Sequence, residues 1–265
     1  MPRPRVLILR APGTNCDHET AFAFEQAGGV AERLHVNRLL ENPRLAADFQ
    51  ILCIAGGFSY GDDLGAGRIL GSRIRTHLAE CLREFKAAKK LILGICNGFQ
   101  VLTNSGLLLA DEAQSDGEHP APPVTLAFND SGRFEARWVR LRTAGSRCVF
   151  FRGIERMYLP IAHAEGKFVC RDASVRERLE AAGQAALKYQ LLDSTSDAHG
   201  AYPANPNGAE ADIAGICDET GRVCGLMPHP ERFIDPTQHP RWTRGEAGAE
   251  GDGLAVFRNA VAYFG

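Results

Sequence analysis

Short, wholly apolar runs alternate with amphipathic segments through the first hundred residues, and this alternation constrains the possible folds most. Three apolar runs, Val6–Leu9, Ile51–Ala55 and Leu91–Ile95, are each followed by glycine-containing turns. Apolar side chains recur at helical spacing over Asp17–Ala27 and Leu70–Ala88, which predicts two helices. Strands that are apolar on both faces and alternate with helices are typical of a parallel sheet covered on both sides. The sequence therefore predicts an α/β fold with a doubly wound, mostly parallel sheet flanked by helices.

The second half of the chain has a different pattern. Apolar and polar residues alternate over Phe134–Arg142, as expected of a strand with one buried face. Further strand-like segments are Lys167–Cys170, Ala186–Gln190, Ile213–Cys217 and Val223–Met227. The turn residues Glu219–Arg222 separate the last two, which favours a hairpin. We therefore expect an added antiparallel part, followed by a closing helix over Leu254–Phe264.

The whole chain, residues 1–265, is expected to form one domain. A length of 265 residues allows one large domain or two small ones, but no stretch is long enough to serve as a linker between two. Two stretches lack periodicity and are expected to be surface insertions. Residues 111–123 are acidic and rich in proline, and residues 235–252 are rich in glycine, proline and charge.

Charge and cysteine content exclude several function classes. The 30 Lys and Arg residues nearly balance the 32 Asp and Glu residues, so we expect no nucleic-acid partner. The apolar runs are far shorter than the roughly 20 residues that cross a bilayer, so we expect no membrane partner and a cytoplasmic location. Eight cysteines include no Cys-x-x-Cys pair, and several lie in predicted strands, which favours reduced thiols and no metal site.

The motif Gly94-Ile-Cys-Asn-Gly98 lies where an apolar run gives way to a helix. It has the Gly-x-nucleophile-x-Gly form of a nucleophile elbow, in which the flanking positions must be small so that strand and helix can pass closely. Cys96 would then lie at the positive end of a helix, which favours its thiolate. Taken alone, the motif fits equally well with a buried cysteine beside two packing glycines.

Two other segments supply possible partners for Cys96. The Gly56-Gly57 pair follows a predicted strand and could aim backbone N–H groups, together with that of Asn97, at a developing oxyanion. In isolation, such a pair is more often a plain turn. Within Met227–Arg232, His229 lies between two prolines and Glu231 follows two residues later, so a carboxylate could hold one imidazole nitrogen. The alternative is a rigid surface loop with a solvated ion pair.

Together these motifs resemble class I triad glutamine amidotransferases and, among them, the glutamine amidotransferase subunits of phosphoribosylformylglycinamidine synthase. The resemblance covers most of the chain and is specific because the motifs occur in combination. The matching segments are 11–17, 56–62, 94–100, 129–137, 161–166, 205–208 and 225–232. The resemblance implies a flavodoxin-like class I glutamine amidotransferase fold.

The resemblance also implies roles for individual residues. Cys96 is the implied nucleophile, His229 the general base and acid, and Glu231 the residue that orients His229. The implied oxyanion and substrate-binding residues are Gly56, Gly57, Phe58, Asn97 and Gln100. Among these, Gly57 and Asn97 supply N–H groups to the oxyanion, while Phe58 and Gln100 line the glutamine pocket.

The implied reaction is hydrolysis of L-glutamine to glutamate and ammonia. The ammonia is then used by a separate synthetase subunit, which converts phosphoribosylformylglycinamide to phosphoribosylformylglycinamidine with ATP in de novo purine biosynthesis. The chain has no Gly-x-x-x-x-Gly-Lys-Ser/Thr loop, so we expect no cofactor here and ATP with magnesium in the partner subunit. A further small subunit is left open. We also expect weak glutaminase activity until the synthetase docks.

Some positions depart from the family pattern or remain open. Gly65 stands where short stand-alone subunits usually carry Arg, and Ala209 replaces a common Ser. His163 and Glu165 are candidates for the partner-facing side or the ammonia exit, or else a satisfied polar pair near a strand end.

Two other functions compete with the one that the resemblance implies. They are a cysteine hydrolase of the DJ-1/PfpI type and an inactive amidotransferase-like domain that only binds partners.

Overall fold

The computed structural model describes residues 3–109, 122–143, 146–190 and 200–265. In this part of the chain the strands are β1 (Arg5–Arg10), β2 (Val30–His35), β3 (Ile51–Ile54), β4 (Leu91–Ile95), β5 (Val124–Ala127), β6 (Glu135–Arg142), β7 (Arg156–His163), β8 (Lys167–Cys170), β9 (Leu187–Tyr189), β10 (Ile213–Cys217) and β11 (Val223–Leu226). The α-helices are α1 (Asp17–Gln26), α2 (Val36–Glu41), α3 (Arg68–His77), α4 (Ala79–Ala87), α5 (Asn97–Ser105), α6 (Ala173–Ala181) and α7 (Leu254–Ala262).

One mixed sheet organises the molecule, in the order β2-β1-β3-β4-β11-β10-β9-β6-β7. The strands from β2 to β11 in this order are parallel to one another, and each ladder from β11 to β7 is antiparallel. Strands β5 and β8 form a separate antiparallel pair. Helix α1 packs beside β1 and contacts α7, whereas α5 packs against β3 and β4 and contacts α3. The α/β fold with a flanked parallel sheet and an added antiparallel part is therefore confirmed.

Burial explains why the central strands are apolar throughout. Every residue of β3, β4 and β11 is buried, as are the four central residues of β1. Because a strand covered on both faces has no solvent-facing side, its sequence is a continuous apolar run rather than an alternating one. The carboxyl ends of these four parallel strands lie at one edge of the sheet, where ligands bind in open α/β folds. The loops that follow them build the site described below.

The predicted single helix over Leu70–Ala88 is wrong in one respect: it is two helices, α3 and α4. Leu78 lies between them with φ −119° and ψ 3°, outside helical geometry. Its N–H still donates to the Ile74 carbonyl oxygen, and its side chain stays buried in the same core as that of Leu82. The apolar spacing identifies the buried face correctly, but it cannot show a one-residue break because the same face continues on both sides.

Several strands and helices were not predicted from the sequence, and some strands were predicted too long. Strand β2 is a half-exposed edge strand with charged residues, so it lacks an apolar run. Strand β7 contains Pro160 and lies at the opposite edge of the sheet, where a missing N–H is tolerated. Strand β5 and the helices α2 and α6 were also missed. The strands expected over Phe134–Arg142 and Ala186–Gln190 are each shorter than predicted.

Only the second of the two expected insertions lies fully within the described residues. The stretch 111–123 lies outside the described residues, apart from its last two positions. The stretch 235–252 is mostly exposed and contains two short 3₁₀ turns, Pro236–Gln238 and Trp242–Arg244. Its end is tied to the sheet because the carboxylate of Asp252 accepts a hydrogen bond of 2.7 Å from the N–H of Tyr158.

Neither disulfides nor spanning helices occur in the described part of the chain. All eight cysteines are free, and only Cys81 is not fully buried. None of the described helices has the length and apolar character needed to cross a bilayer.

Candidate active site

The loops at the carboxyl ends of the parallel strands converge on one place and are joined by backbone hydrogen bonds. The Cys96 N–H, at the end of β4, donates to the Leu226 carbonyl oxygen of β11 at 2.8 Å. The His229 N–H donates at 2.9 Å to the carbonyl oxygen of Pro160, in the antiparallel part of the sheet. Residues far apart in sequence are thus fixed around Cys96.

The turn at Cys96 has the strained geometry of a nucleophile elbow. Cys96 has φ 50° and ψ −107°, a positive φ that non-glycine residues rarely adopt. The helix α5 begins at the next residue, so Cys96 lies at its amino end. A Cβ at Gly94 would lie 2.5 Å from the Gly98 carbonyl oxygen, and one at Gly98 would overlap the carbonyl oxygen of Ile54. Both glycines are therefore required for packing, and strain of this kind is common at functional sites.

The Gly98→Ala variant is expected to destabilise the protein by about 1–3 kcal/mol, because the added methyl group forces α5 away from β3. Urea unfolding followed by circular dichroism measures the change. Gly248→Ala is the matched control, since its Cβ would lie 3.5 Å from the nearest atom, in ordinary contact. An equal effect of the two substitutions would contradict the packing role given to Gly98.

His229 and Glu231 form a buried pair next to Cys96. The imidazole Nδ1 of His229 lies 2.5 Å from Oε1 of Glu231, and each residue is 1% exposed. Nε2 of His229 has no hydrogen-bond partner among the described residues. The carboxylate therefore holds one ring nitrogen and leaves the other for a proton transfer with a thiol. The alternative of a solvated ion pair between Glu231 and Arg232 is excluded by this burial and pairing.

The electrostatics of the site favour a protonated imidazole. Burial lowers the pKa of His229, but the Glu231 carboxylate and then Cys96 and Cys16 raise it, and the result lies well above the ordinary value. An imidazolium beside a thiol stabilises the thiolate, which is the nucleophilic form.

Cys16 is a second thiol at this site, and sequence reasoning missed it. It is 1% exposed and accepts a hydrogen bond of 3.0 Å from Nη2 of Arg232. Its own thiol donates to Oδ1 of Asn15 at 3.2 Å. A Cβ at Gly56 would lie 3.1 Å from the Cys16 sulfur and 3.0 Å from Cε1 of His229, so Gly56 allows both side chains to approach. Burial raises the pKa of Cys16, which disfavours it as a nucleophile.

Cys16, His229 and Glu231 each offer a ligand atom within 4.8 Å of the others, the one such group among the described residues. Their existing bonds fit a proton-transfer site better than a metal site. The nearest atoms of His229 and Glu231 are hydrogen-bonded to each other. The positively charged guanidinium of Arg232 donates to the Cys16 sulfur, where a metal cation would have to bind.

The site contains a pocket that distinguishes the two thiols. Cys96 lines this pocket and Cys16 does not. The lining residues are Gly57, Phe58, Asp62, Ala66, Cys96, Gln100, Ala162, His163, Ala164 and Glu165. The Cys96 thiol also donates weakly to the Ala162 carbonyl oxygen at 3.6 Å. Access to the pocket and backbone strain both distinguish Cys96 from Cys16.

The predicted oxyanion donors lie beside Cys96. Gly57 has φ +140°, and its Cβ position would lie 2.7 Å from the N atom of Asn15, so only glycine fits this turn. The Phe58 N–H already donates to the Gly13 carbonyl oxygen at 2.9 Å. The N–H groups of Gly57 and Asn97 form no such bond within the described residues, which leaves both able to bind an anion.

The side chains of Asn97 and Gln100 hold the pocket wall together. Nδ2 of Asn97 donates to Oε1 of Gln100 at 2.9 Å, and Oδ1 accepts from the Ser59 N–H at 3.1 Å. Nε2 of Gln100 donates to the Glu165 carbonyl oxygen at 2.5 Å. Phe58 is 44% exposed, at the rim of the pocket. The structure therefore brings the predicted site residues together. Gly57, Phe58, Cys96 and Gln100 line the pocket, whereas Gly56, Asn97, His229 and Glu231 lie outside its lining.

His163 and Glu165 belong to this pocket too. They do not bond to each other: His163 contacts Asn129 through Nδ1 at 3.0 Å, and the Glu165 carboxylate accepts from the Ala66 N–H at 3.3 Å. The simple alternative of a polar pair near a strand end is therefore wrong, and both residues face the same space as Cys96.

Comparison with known proteins decides the family. The family model of the CobB/CobQ-like glutamine amidotransferase domain matches residues 3–264. A curated relative from Dehalococcoides mccartyi is 47% identical over 264 residues, 99% of this chain and 98% of its own. Its name is phosphoribosylformylglycinamidine synthase subunit PurQ. The chain belongs to this PurQ family. A PurQ from Methanococcus maripaludis is 42% identical, over 98% of this chain and 97% of its own.

Solved structures agree with membership in the PurQ family. A structure described as PurLQS from Thermotoga maritima has a chain that is 28% identical, with each chain fully covered and a TM-score of 0.72. A glutamine amidotransferase from the same organism is 16% identical over 92% of this chain and 83% of its own, with a TM-score of 0.52. The second likeness concerns the fold alone.

Sequence reasoning missed two residues of this PurQ chain that contact the candidate active site, Cys16 and Asn129. Both lie within motifs that match the family, yet neither has a chemical pattern of its own in the sequence. Cys16 reaches His229 because the loop 11–16 pairs with the loop after β3, where the Cys16 N–H donates to the Gly56 carbonyl oxygen at 3.2 Å. Only the long-range pairing could have revealed these contacts.

Proposed function

We propose that this PurQ chain hydrolyses L-glutamine and delivers the ammonia to a synthetase subunit that makes phosphoribosylformylglycinamidine with ATP in purine biosynthesis. The observation that carries the proposal is the strained Cys96 elbow facing a pocket beside the buried His229–Glu231 pair. PurQ subunits that are 47% and 42% identical over nearly the full length of this chain support the choice of glutamine and of this pathway.

The reaction uses His229 as the proton carrier. His229 takes the thiol proton of Cys96 through Nε2, and the sulfur then bonds to the carboxamide carbon of glutamine. As the carbon–nitrogen bond breaks, His229 returns the proton to the departing nitrogen, which leaves as ammonia. Water attacks the resulting thioester, gives a proton to His229 and displaces the Cys96 sulfur, which takes that proton back. Glutamine and water thus become glutamate and ammonia.

Backbone N–H groups, the Glu231 carboxylate and two pocket residues assist this reaction. The N–H groups of Gly57 and Asn97 stabilise the negative oxygen that forms in both tetrahedral intermediates. Glu231 holds the imidazole through Nδ1 and stabilises its charged form, since the two atoms lie 2.5 Å apart in a buried setting. Phe58 and Gln100 shape the pocket that receives the substrate.

The synthetase subunit is the proposed partner, and it supplies the ATP and magnesium chemistry, so this chain carries no cofactor. The solved structure described as PurLQS supports an assembly of this kind. A cytoplasmic location follows from the proposed pathway and is consistent with eight free cysteines.

Glutaminase activity measured with and without the cognate synthetase subunit tests the proposal. We expect weak activity of the free chain and a rise of at least about tenfold in the complex, because docking couples hydrolysis to ammonia use. Labelling with a diazo-oxo-norleucine, followed by peptide mass spectrometry, should place the label on Cys96. Label on Cys16, or no label and no glutaminase in either mixture, would contradict the proposal.

The two competing functions give different results in the same experiment. An inactive domain that only binds partners would not hydrolyse glutamine even with the synthetase present. A cysteine hydrolase of the DJ-1/PfpI type would be indifferent to the synthetase. The buried His229–Glu231 pair favours the amidotransferase, because those hydrolases usually lack this late segment as their base.

A further inference from the structure

His163 is a buried histidine in the catalytic pocket that the proposed mechanism does not use. It is the last residue of β7, is 2% exposed and lines the pocket together with Cys96. The carbonyl oxygen of the residue before it, Ala162, lies 3.6 Å from the Cys96 sulfur. Nε2 of His163 has no hydrogen-bond partner among the described residues, although it is buried. A buried polar atom of this kind calls for a partner.

The hydrogen bonds of Asn129 determine which nitrogen of His163 carries the proton. Nδ2 of Asn129 donates to the carbonyl oxygens of Arg133, at 2.8 Å, and His163, at 2.9 Å. Oδ1 accepts from the Gly166 N–H at 3.1 Å. The amide orientation is therefore fixed by three bonds. Because Oδ1 can only accept, Nδ1 of His163, which lies 3.0 Å away, must donate.

Because Nδ1 carries the proton, Nε2 of the neutral His163 ring has a lone pair and no hydrogen atom. Burial, and after it the charge of His229, lower the pKa of His163 to about 4. His163 is therefore neutral near pH 7, and its Nε2 is a hydrogen-bond acceptor without a donor hydrogen.

We propose that Nε2 of His163 accepts a hydrogen bond from the carboxamide nitrogen of glutamine and so selects an amide over a carboxylate or an ester. This inference rests on the proposed glutaminase function. The carboxamide has two different ends, and the pocket has two matching sides. The N–H groups of Gly57 and Asn97 face the oxygen, while the lone pairs of His163 Nε2 and of the Ala162 carbonyl oxygen face the nitrogen.

The selectivity follows from the missing hydrogen atoms. A glutamate carboxylate or a γ-ester has only lone pairs on the atom that replaces the amide nitrogen. Placed against Nε2 of His163, that atom makes no hydrogen bond and leaves a buried acceptor unsatisfied. A site built to bind a substrate N–H rejects analogues that lack it for this reason. The same contact holds the leaving ammonia, which is also a donor.

The test compares two substrates in the complex with the synthetase. L-Glutamine and L-glutamate γ-methyl ester pass through the same thioester on Cys96, but only glutamine can donate to His163. The His163→Asn variant keeps an N–H near the Nδ1 position and removes the Nε2 acceptor. We expect kcat/KM for glutamine to fall by about tenfold, while kcat/KM for the ester changes by less than about twofold.

Two further variants separate this role from a structural one. A Cβ at Gly166 would overlap the His163 ring, so Gly166→Ala displaces the ring without changing its chemistry and should lower the amide-to-ester ratio in the same way. His163→Gln can restore an acceptor near the Nε2 position and should recover part of the ratio. If His163→Asn leaves the amide-to-ester ratio of kcat/KM unchanged, either with equal losses for both substrates or with no loss, the inference is overturned while the glutaminase function stays intact. If the unmodified complex hydrolyses neither substrate, the proposed function itself fails, and the inference with it.

Discussion

Cys96→Ala is expected to abolish glutamine-dependent formation of phosphoribosylformylglycinamidine while ammonia-dependent formation by the same complex continues. The substitution removes the only thiol in the lining of the pocket at this site, so no thioester can form. We expect glutaminase activity to fall by at least about a thousandfold, as for other covalent nucleophiles. The synthetase chemistry does not use this thiol, so its rate with added ammonium salt should change by less than about twofold.

Two matched cysteine variants make the result specific to Cys96. Cys81→Ala removes a half-buried thiol whose sulfur bonds to the Pro43 carbonyl oxygen, far from the site in the fold, and should leave both activities unchanged. Cys16→Ala removes the thiol beside His229 and should reduce glutaminase activity by less than about tenfold, because Cys16 lies outside the pocket. A larger loss in Cys16→Ala than in Cys96→Ala would assign the nucleophile to Cys16. Parallel loss of the ammonia-dependent activity would mean that Cys96 supports the assembly rather than the chemistry.

The central part of the fold was predictable because its burial is complete. Strands β1, β3 and β4 are covered on both faces, and each gives an apolar run that ends in a glycine turn. Edge strands gave no such signal. Strand β2 carries Glu32 and Arg33, and β7 carries Pro160, because an edge strand is half solvated and need not donate on its outer side.

The juxtaposition of the candidate site residues was predictable to the extent that their constraints are local. The elbow needs small residues two positions before and after Cys96, and His229 and Glu231 are only two residues apart. Local patterns therefore report both. The contacts of Cys16 and His163 depend instead on which loops and strands pair. His163 enters the pocket because β7 pairs with β6 at the sheet edge, and no pattern around residue 163 records that pairing.

The structure also changes the interpretation of Gln100. Its resemblance-based role is to line the glutamine pocket, and it does lie there. Both ends of its carboxamide are already bonded, to Asn97 and to the backbone of Glu165. Gln100 therefore holds the pocket wall that carries Glu165, whereas Nε2 of His163 has no hydrogen-bond partner among the described residues.

Glu231→Gln is expected to have the second-largest effect, a loss of about 10²–10⁴ in kcat for glutamine hydrolysis, smaller than that of Cys96→Ala. The carboxylate is 1% exposed and lies 2.5 Å from Nδ1 of His229. An amide of the same shape partly keeps the ring in place, but it cannot stabilise the imidazolium. Burial alone lowers the pKa of His229, and the carboxylate is the largest of the influences that raise it. Without that charge, the pKa of His229 must fall.

The pH–rate profile shows whether the lost charge is the cause. Activity needs the imidazolium to protonate the departing nitrogen, so the alkaline limb of the profile follows the pKa of His229. Glu231→Gln should move that limb to lower pH as well as reduce the rate. Glu19→Gln is the matched control, because Glu19 is also a carboxylate near the site but bonds to Arg232 and not to His229. It should leave the limb in place. A reduced rate with an unmoved limb in Glu231→Gln would mean that Glu231 acts only by holding the ring, and that the charge of His229 is set by its thiol neighbours.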